Sequence, residues 1–205
     1  MQVISGMDIS TVIKHVQENF RETYKIEENS ITPNKPSGQF TITLSKNYGL
    51  SEFPFHTDGA HFVIPPRWVI LEYLGIEKSG TATLVTDTQP IIGLSTYEDI
   101  FYNQIYTVTG GPSTFLTTIV NTIIYSLPIF RWNQLIMKPV NQKSHIRFQD
   151  INFDEIHRLP WHPNQIVILD NWRVLHGRET VKEQDVNKRI LKRYNLTPVL
   201  NHASI

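Results

Sequence analysis

The sequence predicts a mainly β domain with flanking helices, a sandwich or jelly roll, and three observations carry that expectation. Short runs rich in branched and aromatic residues recur at RWVILEYLG, TATLVTD, NQLIMKPV, HIRFQDI, NQIVILD and KRILKRYNL. Pro, Gly and Asn punctuate them, as turns between short strands require. Only the N-terminal segment carries a clear helical spacing. The 205 residues suffice for one domain with a core around a small-molecule pocket, so 1–205 is read as a single unit.

In chain order, Asp8 or Ser10 supplies a cap, and Ile9, Val12, Ile13, Val16 and Phe20 recur at three- and four-residue steps. A helix over about residues 8–24 follows. Asn34, Pro36, Ser37 and Gly38 then break the chain, and QFTITLS alternates as a strand does before a turn at Asn47 and Gly49. Segment 88–130 differs from the β-rich remainder. It combines a weak helical pattern over 95–102 with the apolar run FLTTIVNTIIYSLPIF and the Gly110–Gly111 pair, and reads as a lid or substrate-side insertion. No repeat or low-complexity segment interrupts the chain.

Composition removes whole classes of function. Nineteen Lys and Arg balance nineteen Asp and Glu, so no net field draws the protein to nucleic acid or anionic membrane. There is no cysteine, which excludes disulfides, thiolate metal sites, iron–sulfur clusters and cysteine nucleophiles. A metal site must use His and carboxylates. The start MQVISGMDIS lacks a basic stretch leading into a long apolar run, and no later run is apolar for the ~20 residues of a membrane span. A soluble, cytoplasmic protein with a small-molecule substrate is expected, with neither nucleic acid nor membrane as partner.

The chemistry begins at FPFHTDGAH. In an extended strand, His56 and Asp58 project from one face and reach one ion, whereas His61 falls on the other. The run VILDNWRVLHGRE delivers His176 just after a predicted buried strand, at the rim of such a barrel. Two imidazoles and one carboxylate make a facial triad, which leaves three positions on an octahedral ion for a bidentate cosubstrate and dioxygen. In KRILKR, Arg189 and Arg193 share one side, and a guanidinium suits a carboxylate. Pattern alone leaves that side open between barrel interior and solvated face. Arg147, Arg178, Arg67 and His145 are candidates for an anionic substrate, Arg147 foremost. Trp68, Trp161 and Trp172 read as core, and His15, His157, His162 and His202 as without a functional role.

Over residues 50–196, four segments together resemble the taurine dioxygenase family of iron and 2-oxoglutarate oxygenases. They are HTD followed by PPRWVILEYLG, SGTATLVTD, LDNWRVLHGRE, and NKRILKRYNL, with Arg189 thirteen residues after His176. The resemblance implies a double-stranded β-helix core, a jelly roll of cupin-like type. It implies Fe(II) held by His56, Asp58 and His176, with 2-oxoglutarate and dioxygen as cosubstrates. The Thr83 hydroxyl would help bind 2-oxoglutarate, Arg189 would grip its far carboxylate, and Arg193 would line the pocket near that end or near substrate. Apart from the resemblance, His61, Arg147 and Arg178 stand as the candidates for facing substrate, with His61 alternatively supporting the ligands from behind. The implied reaction is hydroxylation of an unactivated C–H of a small polar or amino-acid-like metabolite, free or carrier-bound, with release of succinate and carbon dioxide. Related halogenases replace the carboxylate ligand with a small residue, so Asp58 favours hydroxylation; desaturation, epimerisation and cyclisation would use the same residues. The rivals are a cupin-like metal enzyme without 2-oxoglutarate and a non-catalytic ligand-binding jelly roll. His56 and His176 are only 120 residues apart, so part of the family's usual lid is expected to be missing.

Overall fold

Strands that are apolar on both faces are stable only where both faces are covered, and the two most continuously apolar runs, WVILEY and QIVILD, lie inside the larger of two facing sheets. The structure, a computed structural model, describes residues 1–20, 22–33, 44–122, 127–141, 147–153, 155–186 and 188–199. The strands are β1 (Gln2–Ser5), β2 (Tyr24–Ile31), β3 (Phe53–His56), β4 (Trp68–Tyr73), β5 (Ser79–Asp87), β6 (Tyr106–Val108), β7 (Phe115–Thr117), β8 (Val120–Asn121), β9 (Ile129–Phe130), β10 (Met137–Pro139), β11 (His157–Trp161), β12 (Gln165–Asp170), β13 (Val174–Arg178) and β14 (Leu191–Pro198). Among the described residues three α-helices accompany them, α1 (Ile9–Phe20), α2 (Leu44–Tyr48) and α3 (Gln89–Ile92). The larger sheet runs β1-β12-β4-β14-β2 and the smaller β11-β5-β13-β3. This is the expected double-stranded β-helix.

Side-chain parity divides the core. Trp68, Ile70, Ile166, Ile168, Tyr194 and Leu196 point from the larger sheet to α1, where Val12 and Val16 are buried against them. Their odd-numbered neighbours Val69, Leu71, Val167, Leu169 and Leu191 point inward to Val85, Trp161 and Val174 of the smaller sheet. Asp8 caps α1, accepting from the Thr11 backbone N–H at 3.0 Å, and the helix stops at Phe20, short of the predicted end.

Segment 88–130 builds a third cluster with the chain that follows it. Ile100, Phe101, Tyr106, Ile119, Phe130 and Trp132 pack with Ala60 and Leu175, which flank the ligand-bearing segments. The hairpin β6–β7 presses its tip on the same region, since a Cβ on Gly111 would stand 2.4 Å from the His61 carbonyl oxygen.

Several expected strands differ. Leu44 and Ser45 of QFTITLS belong to α2, and 39–43 lie outside the described residues. The run HIRFQDI makes a 3-10 turn at Phe148–Asp150, because the Asp150 carboxylate accepts from the Arg147 backbone N–H (3.1 Å) and caps the turn. In NQLIMKPV only Met137–Pro139 is strand, since Asn133 Oδ1 accepts from the Leu135 N–H (3.0 Å) and turns the chain first. Among the described residues no helix is long and apolar enough to cross a membrane.

The pairing of β3 with β13 sets up the site. His56 lies directly opposite His176, and the next residue must be glycine, because a Cβ on Gly177 would stand 2.6 Å from the Phe53 carbonyl oxygen. Gly177→Ala is therefore expected to cost about 1–3 kcal/mol through overpacking and to lower Tm by on the order of 5 °C for a domain of this size. A thermal melt of the purified variant checks this.

Candidate metal centre and its cavity

β3 ends at His56, so Asp58 is not on the strand as the sequence suggested but in the turn beyond it, where Gly59 adopts φ 65°. A turn needs other anchors, and three are present. The Thr57 backbone N–H donates to the Trp132 carbonyl at 2.8 Å. Asn171, fully buried, accepts from the Asp58 N–H through Oδ1 (2.9 Å) and donates through Nδ2 to the carbonyls of Asp58 (3.0 Å) and Pro66 (2.8 Å). Arg131 donates to the carbonyls of Ala60 (2.7 Å) and Val63 (2.7 Å), fixing the chain after Asp58.

These anchors bring three buried ligand atoms together. His56, Asp58 and His176 each offer one atom within 4.8 Å of the others. Asp58 Oδ1 lies 3.6 Å from His56 Nε2, and Oδ2 lies 3.4 Å from His176 Nε2. His56 Nδ1 is 3.0 Å from the Pro54 carbonyl, which can only accept; Nδ1 carries the proton and Nε2 keeps a lone pair. Burial and the adjacent His56 ring push His176 below its ordinary value, which leaves it neutral and able to ligate at pH 7. Burial opposes ionisation of Asp58, but Arg193, at 2.7 Å from Oδ1, and the two histidines outweigh it and hold the carboxyl well below the usual range.

The donor set fits a divalent cation. Asp58 Oδ2 is a buried anionic oxygen with no hydrogen-bond donor among the described residues, an expensive arrangement unless a cation completes it. Two histidines and one carboxylate on one side of a cavity are the donors that borderline metals such as Fe(II) accept with positions left open.

The triad opens into a cavity of about 380 Å³. Thr83, Arg178 and Arg189 line it together with His61, Asn133 and Arg193. Arg189, 3 % exposed, precedes β14 and donates from Nη2 to Thr83 Oγ1 (3.1 Å) and from Nε to the Thr81 carbonyl (3.3 Å). Trp161 Nε1 also donates to Thr83 Oγ1 at 3.1 Å. That oxygen thus accepts twice, and its own proton is free to point into the cavity. Burial, aided by Arg178, pushes Arg189 down to about 9 against the opposing pull of Tyr73 and Asp185, and among the described residues no carboxylate pairs with it directly, a costly state for a buried cation. Asp185 steadies this corner by accepting from both the N–H and the hydroxyl of Thr81, each at 2.7 Å.

The remaining candidates separate. His61 lines the cavity, its ring 4.1 Å from that of Phe62. Arg147 does not: its side chain is 60 % exposed and paired with Asp150 in its own turn, which corrects its placement as the leading substrate contact. Arg67 is also elsewhere, buried among Phe20, Trp68 and Trp172 and paired with Glu22 at 2.9 Å. Arg178 reaches the cavity beside Thr83, its partner across β5 and β13. His145 and His202 lie outside the described residues. Sequence reasoning missed Asn171 and Arg131. Asn171 stands in the quoted LDNW segment, where a short amide after a strand reads as a turn residue; nothing in the sequence around Arg131 marks it.

Fold and site together define a double-stranded β-helix that carries a candidate His–Asp–His metal centre at its cavity. Residues 147–194 match the taurine catabolism dioxygenase TauD, TfdA family. Among solved structures, one similar chain is asparagine oxygenase in complex with Fe(II), 3-hydroxyasparagine and succinate, with 17 % identity, TM-score 0.61, and 82 % of this chain and 56 % of that one covered. Another is the non-haem iron oxygenase OrfP with Fe and α-ketoglutaric acid, at 18 % identity and TM-score 0.62 over 84 % of this chain and 57 % of that one. The PvcB protein from Pseudomonas aeruginosa matches at 15 % identity and TM-score 0.60, over 94 % and 72 %. The chain thus spans just over half the length of asparagine oxygenase and OrfP. No curated protein matches the sequence.

Because Asn171 orients a ligand through its backbone, Asn171→Ala is expected to weaken divalent-metal binding by roughly 10–100-fold, as loss of supporting hydrogen bonds does at metal sites. Titration with Co(II), followed by its visible absorption, measures this. An unchanged affinity would remove Asn171 from the site.

Proposed function

We propose that this chain is an Fe(II)- and 2-oxoglutarate-dependent oxygenase that hydroxylates an unactivated C–H bond of a small, polar, amino-acid-like molecule. One observation carries the reading: the buried His56–Asp58–His176 cluster, with an unpartnered carboxylate oxygen, opens into the same cavity as the anion-deficient guanidinium of Arg189. A metal at one point and a carboxylate receptor at another are what a chelating 2-oxo diacid requires.

In this reading His56 Nε2, Asp58 Oδ2 and His176 Nε2 hold the iron. Bound iron supplies dioxygen activation coupled to decarboxylation of 2-oxoglutarate to succinate and carbon dioxide. The chain does the rest by holding and orienting. The Thr83 hydroxyl and Arg189 bind the far carboxylate. Arg193 keeps Asp58 ionised and lies with His61 on the substrate side. Segment 88–130 covers the substrate through the β6–β7 tip on His61. The Asp58 carboxylate fills the position a halide would need, which favours hydroxylation. The amino-acid-like substrate draws support from the asparagine oxygenase complex and from OrfP solved with (3S)-hydroxy-L-Arg.

Anaerobic addition of Fe(II) and then 2-oxoglutarate to the purified protein is expected to produce the weak visible metal-to-ligand charge-transfer band of a chelated 2-oxo acid. His176→Ala is expected to abolish it. Iron binding without a band in the parent protein would overturn the 2-oxoglutarate assignment and leave the cupin-like metal enzyme or the non-catalytic ligand-binding jelly roll.

A further inference from the structure

We propose that Arg178 is a second guanidinium of the cosubstrate pocket, sharing the far carboxylate of 2-oxoglutarate with Arg189. The inference rests on the 2-oxoglutarate reading and extends it to a residue that the sequence placed with substrate.

Arg178 lies directly across from Thr83 in the pairing of β13 with β5. Opposed residues share a face of the sheet with Cβ atoms about 5 Å apart. Thr83 is also the residue whose hydroxyl receives Arg189 Nη2. One threonine is therefore flanked by two arginines, and all three line the same cavity.

The donors point to a missing acceptor. A guanidinium has five N–H donors. Arg178 uses Nε on the Glu179 carbonyl (3.2 Å) and Nη2 on the carbonyls of Gly49 and Ser51 (2.6 Å each). Arg189 uses Nε and Nη2. Among the described residues neither Nη1 has a partner, and neither is a sealed orphan. The two residues are 4 % and 3 % exposed, and every acceptor they use is neutral. Two like charges held together in a buried corner are costly unless an anion completes the site.

Arg178 is also built rigidly. Its guanidinium stacks on Phe53, 3.7 Å from the ring centroid, and the Gly49 and Ser51 carbonyls fix the plane. A preorganised cation loses little freedom when a carboxylate arrives.

The test uses Co(II)-loaded protein under nitrogen and calorimetric titration with two acids. One is 2-oxoglutarate; the other is 2-oxopentanoate, which has the same chelating head and a methyl in place of the far carboxylate. Arg178→Gln is expected to raise the Kd of 2-oxoglutarate by about tenfold or more, the loss of one charge-assisted contact, and to leave the Kd of 2-oxopentanoate unchanged. Arg178→Lys, which keeps the charge, is expected to recover most of that loss. If Arg178→Gln raises both Kd values together, or neither, the proposal is overturned and Arg178 only braces the 49–51 turn. If Arg178→Gln does not fold, Arg178→Lys decides alone: a ratio of the two Kd values raised about threefold by loss of the planar fork supports the proposal, and an unchanged ratio overturns it. Arg189→Gln separates the layers. Should it leave 2-oxoglutarate affinity intact, the cosubstrate reading itself falls; should it abolish affinity while Arg178→Gln does not affect it, only the role of Arg178 falls.

Discussion

The site depends on the antiparallel pairing that sets His56 against His176. Two strands far apart in sequence must run side by side with those two residues in register, and Gly177 permits the approach by leaving room for the Phe53 carbonyl. Everything else in the centre is arranged around this pair. Asp58 lies outside the strand, so its position comes from the Asn171 amide, which sits in the turn that leads into β13. The same turn therefore steers His176 along the chain and Asp58 through hydrogen bonds. The three ligands are coupled more tightly than their separation in sequence suggests.

Charge supports the proposed reading of the cavity as a receptor for a metal ion and a small anion. Among the described residues, Asp58 is the one carboxylate that lines it, and Arg193 already takes one of its oxygens. Among the described residues the other oxygen has no hydrogen-bond donor, and the guanidinia of Arg178 and Arg189 have only neutral acceptors. A dication beside Asp58 and a diacid reaching Arg189 satisfy both deficits at once. Either alone would leave buried charge uncompensated. Metal and cosubstrate binding should accordingly support each other, each lowering the electrostatic cost of the other.

The fold was legible wherever both periodicity and turn chemistry agreed. WVILEY and QIVILD are strands because their apolar side chains are buried on both faces, and α1 follows its three- and four-residue spacing. Two of the failures share one cause. In HIRFQDI and NQLIMKPV, β-prone residues are overruled by a single side chain, Asp150 or Asn133, that captures a backbone N–H and turns the chain. At the candidate site, His56, Asp58, His176 and Arg189 were visible as candidates because chemistry restricts which residue types can serve as metal ligands and carboxylate anchors. Asn171 and Arg131 act on backbone carbonyls and amides, a task many polar residues perform, so only the folded structure singles them out. Arg147 was the converse case, a cation in a suggestive segment whose partner lies three residues along its own turn.

Strand β14 shows how one register serves several needs. Even-numbered Tyr194 and Leu196 close the core under α1, while odd-numbered Leu191 and Arg193 point between the sheets, with Arg189 entering just before the strand begins. Arg193 thereby meets Asp58, and Arg189, four residues earlier, meets Thr83 on the opposite sheet. A slip of one residue would turn both guanidinia toward α1 and carry Tyr194 into the cavity. Eight consecutive pairs with β2 and six with β4 hold the register against that slip. The apolar alternation that stabilises the sheet is thus the same pattern that positions the two cations, and stability and site geometry cannot be varied independently along this strand.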